Sequence, residues 1–157
     1  MKLSEFIDEH VIKIDLEAEE KLEAIEELVD FLISEHELSM RSRDEILTVI
    51  FKRESSISTG VGGGVAIPHG TVDCINDIVG AIGLSKKGIN FDSFDGGPVN
   101  IVLLLLVPKS KFGLHIKTLA NIAKTFNSEV VRQKILNAEN PDEIIDIIED
   151  AESHFDD

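Results

Sequence analysis

The stretch that decides the fold is residues 99–107, which read V-N-I-V-L-L-L-L-V between two prolines. A strand with one face in water alternates between apolar and polar residues, and this run does not alternate. A short, nearly continuous apolar run is typical of a strand that is covered on both faces. The stretch therefore predicts a central strand with further structure packed above and below it.

Shorter strands are predicted upstream of this central one. Residues 65–67 (V-A-I) form a brief apolar strand that stops at Pro68-His69-Gly70. Residues 78–85 predict a second strand, in which glycines allow another backbone or side chain to approach closely. The turn-rich segment 90–98 could hold a short edge strand.

Helices are predicted on both sides of the strand region, because apolar residues recur there three or four positions apart. The predicted ranges are 16–36, 42–53, 114–126, 128–136 and a last helix that starts after residue 140. Ser42 and Glu45 have the spacing of a capping box, and Asn140 followed by Pro141 predicts a clean helix start. The fold class is α/β: a single domain over residues 1–157, with a mixed β-sheet flanked by helices on both faces. The acidic tail from about residue 152 is expected to fray.

Composition narrows the possible functions. The chain has 157 residues, 43% of them hydrophobic and 29% charged, which is typical of a soluble globular domain. Its net charge of −15 argues against nucleic acid as a partner, because neutralising phosphates needs clustered Lys and Arg. The charge suits docking to a basic or apolar protein surface, although solubility alone also explains it.

The single cysteine, Cys74, excludes an intramolecular disulfide and fits a reducing compartment. The N-terminus lacks the apolar run of a signal peptide, and residues 101–107 are too few to span a bilayer. We therefore expect a cytoplasmic protein that does not insert into a membrane.

The glycine-rich segment 58–64 (S-T-G-V-G-G-G) fits neither common nucleotide motif. A phosphate-binding P-loop requires Lys after the last glycine, and the dinucleotide fingerprint would require glycine where Val65 stands. The loop also leads into a strand, so no helix N-terminus faces a phosphate. Two interpretations remain open: an anion-binding concavity of backbone N–H groups, or a tight connection between helix and sheet.

His69 is the strongest candidate for chemistry, because it stands where an apolar strand ends at a Pro-His-Gly turn. A lone histidine is most often structural, so the residues around His69 must show whether it has a chemical role. A phosphoryl acceptor needs a neutral imidazole with one nitrogen fixed, and donors around the phosphoryl oxygens. Arg53 is suited to bind the phosphoryl oxygens, because its guanidinium can donate to two of them at once. His115 could add another donor, unless its ring faces solvent.

Other chemistry finds weaker support in the sequence. His69 and His115 with a carboxylate could bind zinc, but they lack a recognisable ligand spacing. Cys74 or Ser58 could act as the nucleophile of a hydrolase, yet no third orienting group or nucleophile elbow is evident.

The sequence as a whole resembles the type-2 enzyme IIA domains (fructose, mannitol and nitrogen-regulatory) of the bacterial phosphotransferase system. The resemblance lies in Arg53-Glu54, the segment 58–64 and the run 65–70 (V-A-I-P-H-G). It continues through 89–92 (I-N-F-D), 97–100 (G-P-V-N) and 115–119 (H-I-K-T-L), and so covers nearly the whole chain.

The resemblance implies a phosphotransferase component that is not by itself a complete sugar kinase. His69 would accept a phosphoryl group from a histidine-containing phosphocarrier protein, on Nε2, with Nδ1–H held by a backbone carbonyl. Arg53 and His115 match supporting positions, Glu54 would have a structural role such as pairing with a cation, and no metal or organic cofactor is implied. The substrate-binding residues would be Thr59, Gly62, Gly63 and Gly64.

The resemblance leaves two outputs open. The phosphoryl group would pass to a IIB domain, or it would act as a regulatory switch on a target protein. The spelling of residues 66–70 and the compact length favour the regulatory type, and the chain is expected to be a free-standing IIA protein.

Overall fold

The centre of the computed structural model, which describes residues 2–154, is a mixed six-stranded β-sheet. The strands are β1 (Ile12–Lys13), β2 (Gly60–Gly62), β3 (Val65–Ala66), β4 (His69–Val72), β5 (Val79–Ile89) and β6 (Val99–Pro108). Their order is β1-β5-β6-β3-β2, and β4 also pairs with β6. The β5–β6 pair is antiparallel whereas β1–β5, β3–β6 and β4–β6 are parallel, which confirms the predicted mixed sheet.

Strand β6 is the buried core of this sheet, as the apolar run predicts. Its residues 101–107 are at most 1% exposed, so side chains on both faces are covered. Burying a Leu or Val side chain fully contributes about 1.5–3 kcal/mol. The strand therefore contributes a large part of the free energy that stabilises the domain, and it gives its neighbours a rigid edge.

Five helices cover the sheet in the described part of the chain. They are α1 (Lys21–Ser34), α2 (Arg43–Ser56), α3 (Phe112–Phe126), α4 (Glu129–Leu136) and α5 (Pro141–Glu152). Helices α1 and α2 pack on each other and against β5 and β4, while α3, α4 and α5 form a second group in which α3 contacts β6. Helices thus lie on both faces of a single α/β domain, as predicted.

Helix α1 is shorter than predicted, because residues 16–20 are drawn into the sheet. The backbone N–H of Leu16 donates to the carbonyl of Leu84 at 2.9 Å, and Glu20 forms an isolated bridge with Asn90. The Leu16 side chain packs where Gly83 leaves room, since a Cβ there would lie 2.6 Å from Leu16 Cδ1. Apolar spacing alone could not distinguish this extended segment from a first helical turn.

The predicted helix starts have mixed outcomes. Ser42 makes no capping hydrogen bond and has helical dihedral angles, so the predicted capping box is wrong. Ser39 instead caps a short 3₁₀ turn that leads into α2. At α5 the prediction is confirmed: Asn140 accepts a hydrogen bond from the N–H of Glu143 at 3.0 Å, and Pro141 is the first helical residue.

The strand boundaries also differ from expectation. Strand β5 runs on to Ile89, and the expected edge strand in 90–98 is absent from the described residues. That segment instead contacts β2 through a hydrogen bond from the N–H of Phe94 to the carbonyl of Gly60, at 3.0 Å. The predicted stop at Pro68 is wrong in one respect, because a new strand, β4, begins at His69.

The two ends of the described chain meet. Glu152, the last residue of α5, is 2% exposed and accepts hydrogen bonds from the N–H groups of Leu3 (2.6 Å) and Ser4 (3.2 Å). The predicted fraying is therefore wrong for Glu152, and residues 155–157 of that tail lie outside the described residues. None of the helices within 2–154 has the length and apolar composition needed to cross a bilayer.

Candidate functional site

His69 is placed by two neighbouring elements of the fold. As the first residue of β4 it pairs with Leu105 of β6, and the carbonyl of the preceding Pro68 accepts the N–H of Leu105 at 3.0 Å. On the other side α2 comes close to the strand, since a Cβ on Gly70 would lie 2.9 Å from Cγ1 of Val49. Glycine at position 70 therefore allows the close packing that holds the backbone of His69.

The His69 ring is fixed in one tautomer. Its Nδ1 lies 2.8 Å from the carbonyl oxygen of Ile67, which can only accept a hydrogen bond. Nδ1 therefore carries the proton, and Nε2 keeps a lone pair when the ring is neutral. This hydrogen bond is the one that the family resemblance implies.

Burial keeps the His69 ring neutral. Burial is the largest cause that lowers the pKa of His69 below 6.5, and the positive charge of Arg53 lowers it further. The hydrogen bond to Ile67 and the negative charge of Glu54 act in the opposite direction without cancelling the shift. A neutral, partly buried imidazole with a free Nε2 is a suitable nucleophile.

His115 lies against His69, where a second donor to the phosphoryl group is expected. The ring centroids are 5.2 Å apart with an interplanar angle of 69°, an edge-on contact. Burial, then the nearby charges of His69 and Arg53, lower the pKa of His115. His115 occupies the first turns of α3, but the alternative that it faces solvent is wrong because its ring packs on His69.

Arg53 completes the group of three side chains. It lies in the last turn of α2, and its Nη1 donates a hydrogen bond to the carbonyl of Ile57 at 2.7 Å. Its positive charge lowers the pKa of both imidazoles. The fold thus brings Arg53, His69 and His115 together from three different elements.

Glu54 binds the loop that follows α2. Its side chain is 2% exposed and accepts hydrogen bonds from the N–H (2.8 Å) and the hydroxyl (2.6 Å) of Thr59. The expected pairing of Glu54 with a cation is therefore corrected to a bond with Thr59. The Thr59 hydroxyl is engaged inside the protein, at 4% exposure, and not directed towards a ligand as predicted.

The glycine turn lies apart from His69, which corrects the predicted role of Gly62, Gly63 and Gly64. The turn joins β2 to β3, whose register pairs Val65 with Ile101, whereas His69 pairs with Leu105. Four residues along β6 correspond to about 13 Å. The three glycines have positive φ angles of 94°, 66° and 82°, and the N–H of Gly63 donates to Asp95 at 3.1 Å. Of the two interpretations left open, the tight connection fits this geometry.

The weaker alternatives gain nothing from the structure. The hydroxyl of Ser58 donates to the carbonyl of Phe91, so no base activates it. Cys74 is half-buried and packs against the core. Within residues 2–154, the potential ligand atoms of His69 and His115 do not join those of a carboxylate or thiol in a group of three within 4.8 Å.

Two features of this region were not predicted from the sequence. One is the bond between Glu54 and Thr59, for which the only sequence signal is the short spacing of an acidic and a hydroxyl residue. The other is Asp95, which also accepts from the N–H of Gly97 at 3.0 Å and so holds the glycine turn from another loop. These two backbone hydrogen bonds lower the pKa of Asp95.

Comparison with known proteins places this geometry in context. The sequence profile of the family described as "Phosphoenolpyruvate-dependent sugar phosphotransferase system, EIIA 2" matches residues 5–151. A fructose-specific EIIABC component of Bacillus subtilis is 36% identical over 149 residues, which are 94% of this chain but only 23% of that protein. A fructose-specific EIIA component of Haloferax volcanii is 32% identical over 125 residues, 80% of either protein. A nitrogen regulatory protein of Bradyrhizobium diazoefficiens is 32% identical over 135 residues, 86% of either protein.

Solved structures share the fold. The nitrogen regulatory protein IIA-Ntr of Neisseria meningitidis superimposes with a TM-score of 0.84 at 31% identity, over 93% of this chain and 98% of that one. The Escherichia coli mannitol enzyme IIA, solved in complex with its phosphorylated enzyme IIB, gives a TM-score of 0.74 at 19% identity, over 92% and 97%. At that identity the second likeness shows the fold alone. The relatives include both sugar-specific and nitrogen-regulatory proteins, so the comparisons do not choose between the two outputs.

Proposed function

The chain belongs to the EIIA type-2 family of the phosphoenolpyruvate-dependent sugar phosphotransferase system, and from that premise we propose that His69 accepts a phosphoryl group on Nε2. The donor is the histidine-containing phosphocarrier protein that the family resemblance implies. The protein is then one component of a phosphotransferase, and it acts in the cytoplasm. One observation carries the proposal: the hydrogen bond of Nδ1–H to Ile67 leaves the Nε2 lone pair free.

The phosphoryl group passes directly from an imidazole of the donor to the imidazole of His69. The Nε2 lone pair of His69 forms a bond to phosphorus, the N–P bond of the donor breaks, and its electron pair returns to the donor's ring nitrogen. The proton on Nδ1 does not move. Phosphoryl transfer depends mainly on positioning and on neutralising the oxygens. Arg53 supplies a positive charge there, and His115 lies close enough to take part.

The test is a labelling experiment with phosphoenolpyruvate, the two general phosphotransferase proteins and this chain. We expect an acid-labile phosphoprotein whose label is lost in His69→Ala. His10→Ala is the matched control, because His10 is exposed and precedes β1 at the opposite edge of the sheet. Equal labelling of His69→Ala and the unmodified protein would reject the proposal.

The onward acceptor is proposed to be a IIB domain. The mannitol relative of the same fold was solved with a phosphorylated IIB protein, which shows that this kind of fold can dock such a partner. Transfer of label from the phosphorylated chain to an isolated IIB domain tests the proposal. The fructose-specific relatives make a fructose-type IIB domain the first one to try.

A second candidate is a regulatory switch on a target protein. It is favoured by the nitrogen-regulatory relatives and by Ile57, which is 74% exposed while its carbonyl binds Arg53. A phosphoryl group on His69 adds about two negative charges to the site that Arg53 shares with the backbone of Ile57, which would disfavour a partner that buries this apolar side chain. A pull-down should then give different partners for the unmodified protein and for His69→Glu, with His10→Glu as the control. Identical partners for all three proteins would exclude the switch.

A further inference from the structure

A chain of three hydrogen bonds links the His69 ring to a buried carboxylate. His69 Nδ1–H donates to the carbonyl of Ile67 at 2.8 Å, and the N–H of Ile67 donates to the carbonyl of Thr59 at 3.1 Å. The N–H of Thr59 donates in turn to Oε2 of Glu54 at 2.8 Å. Every donor in the chain points towards Glu54, so the carboxylate holds the backbone of Thr59, and Thr59 holds the residue whose carbonyl accepts from the His69 ring.

Glu54 occupies an unfavourable position for a carboxylate. It is buried, and it lies in the last turn of α2, where the helix dipole presents its negative end. A buried charge is costly unless hydrogen bonds compensate it. The two bonds from Thr59 offset part of that cost, but an apolar residue would avoid it. Groups that break local rules in this way are often found at functional sites.

We infer that Glu54 is a positioning residue for His69, which acts through Thr59 and Ile67 to hold the Nδ1–H tautomer and to stabilise the ring as Nε2 bonds to phosphorus. This inference rests on the proposed function. When Nε2 carries the phosphoryl group and Nδ1 keeps its proton, the ring has a positive charge. The negative charge of Glu54 at the far end of the chain attracts that charge.

Arg53 and Glu54 carry opposite charges and have different roles around the His69 ring. Arg53, the residue before Glu54, carries the positive charge that faces the incoming phosphoryl oxygens. Glu54 points into the protein, and its negative charge acts on the ring from the far end of the hydrogen-bond chain. The opposite effects of the two residues on the pKa of His69 agree with this division. His115 is the titratable group whose side chain packs directly on the ring.

The experiment compares Glu54→Gln with Glu45→Gln, an exposed glutamate on the same helix. In the unphosphorylated protein, nitrogen NMR of the His69 ring should show a smaller share of the Nδ1–H tautomer and a lower pKa in Glu54→Gln. With the phosphocarrier protein as donor, kcat should fall by about tenfold, the lower end of the range for groups that orient a functional imidazole. KM should stay unchanged, because Glu54 is buried and does not meet the partner.

A second pair of variants keeps the test valid if Glu54→Gln does not fold. Thr59→Val keeps the N–H bond of the chain but removes the hydroxyl bond that fixes the Glu54 carboxylate in its position, whereas Thr59→Ser keeps both. We expect a reduced Nδ1–H share and a slower transfer in the first, and values near those of the unmodified protein in the second. Equal values for Thr59→Val and Thr59→Ser, or for Glu54→Gln and Glu45→Gln, would overturn the inference. Absence of label on His69 in the unmodified protein would instead reject the proposed function, a separate result from the NMR comparison.

Discussion

The carbonyl of Ile67 accepts a hydrogen bond from the His69 ring only two residues further along the chain, at 2.8 Å. Pro68 stands between them, and it restricts the backbone that joins strand β3 to strand β4. Because both strands pair with β6, the acceptor and the ring are fixed to the same rigid edge. The tautomer of His69 is thus determined by the strand arrangement.

We expect the rings of His69 and His115 to stay neutral at pH values low enough to protonate an ordinary histidine. Burial is the main cause that lowers both pKa values below 6.5, so NMR titration midpoints should lie below that value. Between 6.5 and the lower native values the unfolded chain binds more protons than the folded protein. The free energy of unfolding therefore decreases as the pH falls through this window.

The matching stability measurement compares the unmodified protein with His69→Gln. The unmodified protein should lose more unfolding free energy between roughly pH 7.5 and 5.5, by at most about 1.4 kcal/mol per pH unit for each proton. His10→Gln serves as the exposed control. A His69 midpoint at or above 6.5 would contradict this prediction.

Replacing Arg53 with Ala should slow phosphoryl acceptance by about a hundredfold, the usual effect of removing one donor that stabilises a charged transition state. Arg53→Lys should recover only part of the rate, because an ammonium group cannot fork onto two oxygens. Circular dichroism should show an intact fold for both. Lys52→Ala, an exposed cation next to it, is the control, and an equal loss of rate there would mean that only net charge matters.

Gly63→Ala should destabilise the fold but spare phosphoryl acceptance. The φ angle of Gly63 is +66°, and an added Cβ would lie 3.2 Å from Cζ of Arg132, so strain and crowding combine. We expect a loss of about 1–2 kcal/mol in urea unfolding, with the rate per folded molecule unchanged. Gly96→Ala, with φ of +72° and open space around its Cβ, should lose less. A large drop in rate for Gly63→Ala would return the glycine turn to the active site.

Glu152→Gln should lower the free energy of unfolding by about 1–3 kcal/mol, because it weakens a buried acceptor of two N–H groups. Those donors are Leu3 and Ser4, near the start of the chain. Glu149→Gln, an exposed residue on the same helix, should have little effect. Equal unfolding midpoints for the two variants would show that the contact does not stabilise the fold.

Local signals in the sequence were sufficient for the core and for several helix ends. The apolar run of β6 and the Asn140 cap were predicted correctly, because burial on two faces and capping depend on residues close in sequence. Strand β4 was missed, since Pro-His-Gly has the composition of a turn. It forms a strand only because the distant β6 offers it a pairing edge, and such tertiary effects override local preference.

The candidate site shows the same division. The likeness to a family pointed to Arg53, His69 and His115, and the fold brings all three together. The glycines seemed to belong with them because exposed backbone N–H groups can bind an anion, but the parallel register on β6 separates the turn from His69. The bond of Glu54 to Thr59 could not be foreseen, because it requires the helix end and the loop to be in place together.

The contact of Glu152 with Leu3 and Ser4 brings the first and the last described segments of the chain together. A short linker could join the segments around Leu3 and Glu152, and new termini could be opened in an exposed loop, such as the one around Gly96, without crossing the core. Such a circular permutant should fold, with β6 still central and His69 still on its edge. The same closeness would let a domain of this shape be inserted into a longer protein while disturbing its host at a single point.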